Sequence, residues 1–411
     1  MKIFCSWPKL VVAVLATCFC LESIADAQMI AQRSNSRAQN QPGGSSSNKF
    51  GLLASAQWLG DSPENLDSNV RPASCDMDTC CGGCDSCVGG CDSSCPPGCT
   101  CCECCEPWWA HRSGLYGEFL YWQLADGEVT HAQQQDGIGG AGTVPFGIIQ
   151  NTNHDHEPGF RVGFDIAYSG CSSIFGNYTF LENETEGLLV PPTITGGGGA
   201  VGSFVHHPGA AITASTGPVG HLYDVDFQLA DFGLRRVWKA GCNHVINWSV
   251  GGRYGHLEQD FDQLGHFAGG QQGTIDTYSN IRFDGGGLLF GLDAERRAAC
   301  SGWSVYGKIF VTPLTGRFHA DYTMLNTTTD ALLAQAIWQD DRIVTLLDYE
   351  AGLAWTSQCN HWRLSAGYAV SHWFNAVTSD SFIEAVTTND YVNVEGPLSF
   401  SGLTSKIEYS W

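Results

Sequence analysis

The sequence predicts an all-β fold: an antiparallel transmembrane β-barrel of about 10 strands (8–12) behind a disordered, cysteine-rich N-terminal segment. Three observations carry this expectation. Apolar and polar residues alternate along stretches of about 10–14 residues, which is longer than the roughly 5–6 residues of a sandwich strand. The connections between these stretches are alternately short and long, as where one rim of a barrel is tight and the other elaborated. After Leu21 no apolar run approaches the roughly 18 residues that a membrane helix needs, so any crossing must be made by strands. A secreted β-sandwich is the alternative built from the same alternation.

Composition narrows the choice further. Charged residues are only 15% of the chain, while 50 glycines and 47 aromatic residues favour turns and apolar surfaces. Acidic residues outnumber basic ones by 42 to 20, a balance that repels polyphosphate and excludes nucleic acid as a partner. Nineteen cysteines point away from a reducing cytosol.

In chain order, Lys2 and Lys9 precede an apolar run from Leu10 to Leu21 and the small-x-small triplet Ala25-Asp26-Ala27, so residues 1–27 read as a signal peptide cut before Gln28. A lipoprotein cut before Cys18 is the alternative, but Thr17 fits that site poorly. Residues 28–74 open on a stretch rich in Gln, Asn, Ser and Gly that cannot offset its ordering entropy, and form a flexible tether. Residues 75–107 hold twelve cysteines: Cys75, Cys80, Cys81, Cys84, Cys87, Cys91, Cys95, Cys99, Cys101, Cys102, Cys104 and Cys105. Such a segment is held by disulfides or metal, or it cross-links to something else. Cys81, Cys84 and Cys87 have zinc-ligand spacing but lack a second spaced pair, so disulfides in an oxidising envelope are the expectation.

Residues 108–411 form the barrel. Strands are expected near 114–124, 159–169, 172–182, 222–237, 244–258, 282–297, 302–317, 342–357, 361–374 and 398–411. The cleanest is 159–168, where Phe160, Val162, Phe164, Ile166 and Tyr168 share one face and Arg161 and Asp165 the other. Connections 125–158, 183–221, 259–281, 318–341 and 375–397 are expected to be long loops. The four short connections each carry one cysteine, Cys171, Cys242, Cys300 and Cys359, which places all four on one rim as disulfide candidates. The chain closes on Tyr409-Ser410-Trp411, which resembles a barrel-assembly signal.

On the inward faces the alternation sets Glu118, Asp165, Asp224, Asp226, Asp293, Glu295, Asp348, Glu350 and Glu408 against Arg161, Arg253, Lys308, Arg363 and Lys406. This acidic excess in a lumen favours cations, although mixed ladders equally describe a salt-bridged plug.

Tyr121-Trp122, Gly159-Phe160-Arg161-Val162-Gly163, Asp224-Val225-Asp226-Phe227 leading to Asp231-Phe232-Gly233-Leu234-Arg235-Arg236, and Gly251-Gly252-Arg253-Tyr254 together resemble the Legionella-type major outer membrane protein family. Similar sequences are numerous in planctomycetes. The resemblance covers about residues 112–411 and implies a pore-forming outer-membrane barrel, without naming a solute; the cysteine segment departs from the family pattern.

No chemistry competes with that reading. His154-Asp155-His156-Glu157 and His206-His207 contain metal-ligating types, but no three share a strand face, and neither a nucleophile elbow nor a phosphate loop is present. The expectation is a non-enzymatic barrel without cofactor or metal. Its partners are outer-membrane lipid, the barrel-assembly machinery and an envelope component cross-linked through cysteine. A structural barrel that fastens the membrane to the envelope beneath, with little conductance, is the alternative to a porin-like pore.

Overall fold

The computed structural model describes residues 110–139, 143–195, 197–241, 243–298, 302–357 and 360–411. The expected signal peptide, tether and cysteine-rich segment lie outside the described residues, as do Cys242, Cys300 and Cys359.

Ten long strands make the barrel: β1 (Gly114–Ala125), β2 (Glu157–Ser169), β3 (Ser172–Leu189), β4 (Ile212–Gly241), β5 (His244–Gly269), β6 (Gly273–Arg297), β7 (Trp303–Asn326), β8 (Ala331–Thr356), β9 (Trp362–Ala376) and β10 (Gly396–Ser410). Each pairs antiparallel with its chain neighbours, and β1 pairs with β10 from Gly114↔Ser410 to Ala125↔Ser399. The ring is therefore closed, which leaves no edge in its wall to recruit another chain.

The outer wall carries a belt of exposed apolar side chains: Leu115 and Phe119 on β1, Val162 and Ile166 on β2, Phe232 and Leu234 on β4, Leu288 and Phe290 on β6, Leu403 and Ile407 on β10. Trp238, Trp248, Trp303, Trp355, Trp362 and Trp411 ring its lower margin, beside the short connections. Aromatic side chains suit such a margin because they are apolar in body and polar at the tip.

The barrel is taller than the sequence suggests. Segments 259–281 and 318–341, expected as long loops, are instead mostly strand: β5 and β6 join across residues 270–272, and β7 and β8 across 327–330. The reason is an inversion of polarity along one continuous strand. Within the belt β4 sends Phe232 and Leu234 outward and Asp231 and Arg235 inward; higher up it sends Tyr223, Val225 and Phe227 inward and Asp224 and Asp226 outward. An apolar surrounding suits the first stretch and water the second, so the face that must be apolar switches while the register is kept. At the top of the β5–β6 hairpin Gly269 takes φ +115°, and a Cβ there would lie 2.6 Å from the Ala211 carbonyl oxygen, so glycine is required.

Three long connections remain. That between β1 and β2 holds the short paired strands Thr130–Gln135 and Pro145–Asn151, and the former also pairs with Ala200–Ser203 from the β3–β4 connection. Between β9 and β10 the chain forms helix α1 (Ser379–Thr388), opened by a capping box of Thr378 and Ser381.

Candidate functional site

The lumen is the candidate site, and it is layered. At the level of the apolar belt it is charged. Glu118, Arg161, Asp165, Arg253, Asp293, Glu295, Lys308, Asp348, Glu350, Arg363, Lys406 and Glu408 all lie on inward-facing positions of their strands. Asp224 and Asp226 do not. Alternation places them on the outer wall above the belt, because their neighbours Tyr223, Val225 and Phe227 fill the interior. Asp231, Arg235 and Arg297 take inward positions that the sequence reading missed, although the parity of Phe232 and Leu234 contains the signal. The charged lumen thus holds eight carboxylates and seven cations among the described residues, nearly balanced.

These charges are cross-braced. Arg161 on β2 bonds Glu118 on β1 at 3.1 Å and reaches Glu350 on β8 at 3.4 Å. Arg253 on β5 grips Asp231 on β4 at 2.6 Å and also bonds Asp348 on β8, while Arg363 on β9 bonds Glu295 on β6 at 3.0 Å. Strands 2 and 8, 5 and 8, and 6 and 9 are not neighbours in the ring, so these pairs span the lumen. Lys308 bonds Glu350 at 3.2 Å and Lys406 bonds Glu408 at 3.1 Å. Lys406 also lies 4.1 Å from the centre of the Tyr116 ring, a further favourable contact for a partly dehydrated ammonium. Between the pairs remain a cavity of about 100 Å³ bounded by Glu118, Arg161, Arg253 and Asp348 and another of about 80 Å³ nearer the short connections.

Above the charges lies an aromatic layer. Phe227 stacks on Phe400 at 4.6 Å and meets Trp373 at 5.6 Å; Phe283 packs on Phe318 at 4.6 Å and on Trp373 at 6.2 Å. These five rings come from β4, β10, β9, β6 and β7 and are fully buried, so they meet across the barrel. Helix α1 sits above them, with Phe382, Ile383, Ala385 and Val386 buried and Phe382 6.3 Å from Trp338. Buried Gln259 holds the helix entrance, donating to the Val377 carbonyl at 2.8 Å and accepting from the Ser379 amide at 3.2 Å. The sequence predicts a loop over 375–397; the helix signal within it is Thr378 and Ser381 ahead of the apolar positions 382, 383, 385 and 386.

Histidines gather in the same upper region. His131 and His221 have ring centres 4.1 Å apart, and His154 packs edge-on to Tyr223 at 4.9 Å. Burial lowers His131 and His154 to about 4. Among the described residues no group of three His, Cys, Asp or Glu side chains could hold a metal ion. Of the cysteines only Cys171 is described. It is buried against Val237 and Val245 in the β2–β3 turn. The other three short connections end at the same rim, as their flanking strand ends show. Tyr409 faces outward there, 4.9 Å from Trp362 and 6.3 Å from Trp411.

A closed antiparallel ring with an apolar belt outside and charges inside is the architecture of an outer-membrane β-barrel. The family model of the Legionella pneumophila major outer membrane protein precursor matches residues 107–411, and the chain belongs to that family. A search of curated proteins finds no match. Solved structures that resemble the fold include the outer membrane protease OmpT from Escherichia coli, at 8% identity over 73% of this chain and 97% of that one, with a TM-score of 0.41. A Pseudomonas aeruginosa FadL homologue, at 8% identity over 73% and 90%, has a TM-score of 0.20. The anion-selective porin from Comamonas acidovorans, at 10% identity over 73% and 100%, has one of 0.16.

Proposed function

We propose that this outer-membrane barrel is a porin-like, non-enzymatic passive pore of low conductance, closed at rest by its aromatic layer and helix α1. The observation that carries the reading is the layering of the lumen, in which charged cavities within the belt lie beneath an apolar plug. Ions and small hydrophilic solutes would pass once the plug moves aside. The mild cation preference expected from the sequence loses its basis, because the lumen charges nearly cancel. In this reading outer-membrane lipid surrounds the apolar belt, a signal peptide exports the chain, and the Tyr409 and Trp411 terminus engages the assembly machinery.

Planar-bilayer recording tests it. The full chain is expected to give rare, small conductance steps, and replacing residues 378–390 with a short Gly/Ser loop is expected to raise the open time at least about tenfold. No steps from either protein would leave the structural reading ahead. That second reading has its own support: the braced interior, and a rim where four cysteine-bearing connections meet the start of β1. Disulfides or intermolecular bridges from the segment 75–107 would then fasten the barrel to the envelope.

A further inference from the structure

We propose that the lumen mouth beside the short connections is a binding site for a small oxyanion such as inorganic phosphate. Arg112, Arg235, Arg297 and Arg363 line the cavity of about 80 Å³ there, and they come from the segment before β1 and from β4, β6 and β9. Six cationic side chains line this cavity against four carboxylates, whereas the cavity above it has six carboxylates against five cations. The positive excess is therefore local to the mouth.

Like charges gathered inside a protein wall repel unless an anion lies between them. Two of the arginines show where that anion belongs. Arg235 bonds Asp165 at 2.8 Å and Arg363 bonds Glu295 at 3.0 Å, each through Nη2, and in both the Nε atom is buried without a hydrogen-bond partner. Buried donors left unpaired mark the place of a water or an ion. A guanidinium presents its donors in a planar fork that matches the oxygens of phosphate, and the cavity has room for one tetrahedral anion. Arg112, whose Nη1 donates to the Asn360 carbonyl, lines the same cavity.

The site does not depend on the pore reading, since an open and a closed barrel would both carry it. The test uses the full-length chain folded in non-ionic detergent, with thermal unfolding followed during titration with sodium phosphate against sodium chloride of equal ionic strength. A saturable rise in the unfolding midpoint with phosphate, absent with chloride, is expected. Arg112→Gln, which removes a rim donor, should weaken the apparent affinity about tenfold. Arg317→Gln, on the outer wall and paired with Asp341, should leave it unchanged. A soluble short-chain phosphatidylglycerol distinguishes a lipid headgroup from the free anion. Stabilisation by that lipid alone, equal response to chloride and phosphate, or an unaltered affinity in Arg112→Gln would overturn the assignment.

Discussion

Arg253 donates from Nε and Nη2 to both carboxylate oxygens of Asp231 on the adjacent strand, at 2.6 and 2.8 Å, in a fork that is almost wholly buried. A third donor crosses to Asp348, so one guanidinium ties β4 and β5 to the far wall at β8. The charges are satisfied only together: a buried ion pair contributes little net stability when intact, but losing one partner strands the other. Arg253→Met is expected to destabilise the barrel by about 3–5 kcal/mol, read as a lower temperature for the gel shift from folded to unfolded form. An unchanged transition would show that Asp231 and Asp348 are hydrated.

Trp373 occupies the centre of the plug, between Phe227 and Phe283, with no exposed surface. Trp373→Ala removes the largest ring of that layer and should cost about 3–5 kcal/mol through the cavity it leaves. Bilayer current should also become noisier. A variant as stable and as quiet as the parent would contradict a packed plug.

On the outer wall, Asp226 stands directly opposite Glu182 on β3 and Glu258 on β5. Three carboxylates in one row repel, in proportion to how few counter-ions reach them. Asp226→Asn is predicted to raise stability by about 0.2–1 kcal/mol at low salt, with the gain shrinking at high salt. Were Asp226 a lumen residue, the same change would instead alter reversal potential in a conducting barrel.

Acid should loosen the upper region before the barrel wall. His131 and His154 sit near 4 when buried and near 6.5 when released. Above 6.5 both states are neutral and nothing is gained or lost. As pH falls from 6.5 towards 4, only the released form takes up protons, so the closed arrangement loses stability progressively, by up to about 3 kcal/mol for each histidine. Proteinase K cleavage within 126–156 is expected to accelerate over that window, and His131→Gln to flatten the dependence. Cleavage indifferent to pH would mean that these imidazoles are already open to water.

What could be read along the chain was whatever local alternation encodes. All ten strands of the ring overlap segments marked by period-two patterning, and the parity of Phe160 to Tyr168 placed Arg161 and Asp165 inside. That the four short connections, the one bearing Cys171 among them, open from strand ends on one rim likewise followed from segment lengths, because antiparallel strands return to the same rim every second turn.

Alternation says which residues share a face but not which face is wet. Asp224 and Asp226 share the face of Phe232 and Leu234, and Tyr223 and Phe227 that of Asp231 and Arg235; only the depth of each residue relative to the apolar belt decides which of them lines the lumen. That depth is set by ring closure, strand height and the filling of the interior. The same holds for the tall β5–β6 and β7–β8 hairpins, whose outward polar residues imitate loops, and for the four arginines at the mouth, drawn together from distant segments. Strands, parity and chain order are written in local alternation; which side faces water emerges only when the ring closes, because solvent contact belongs to the assembled wall and not to any single strand.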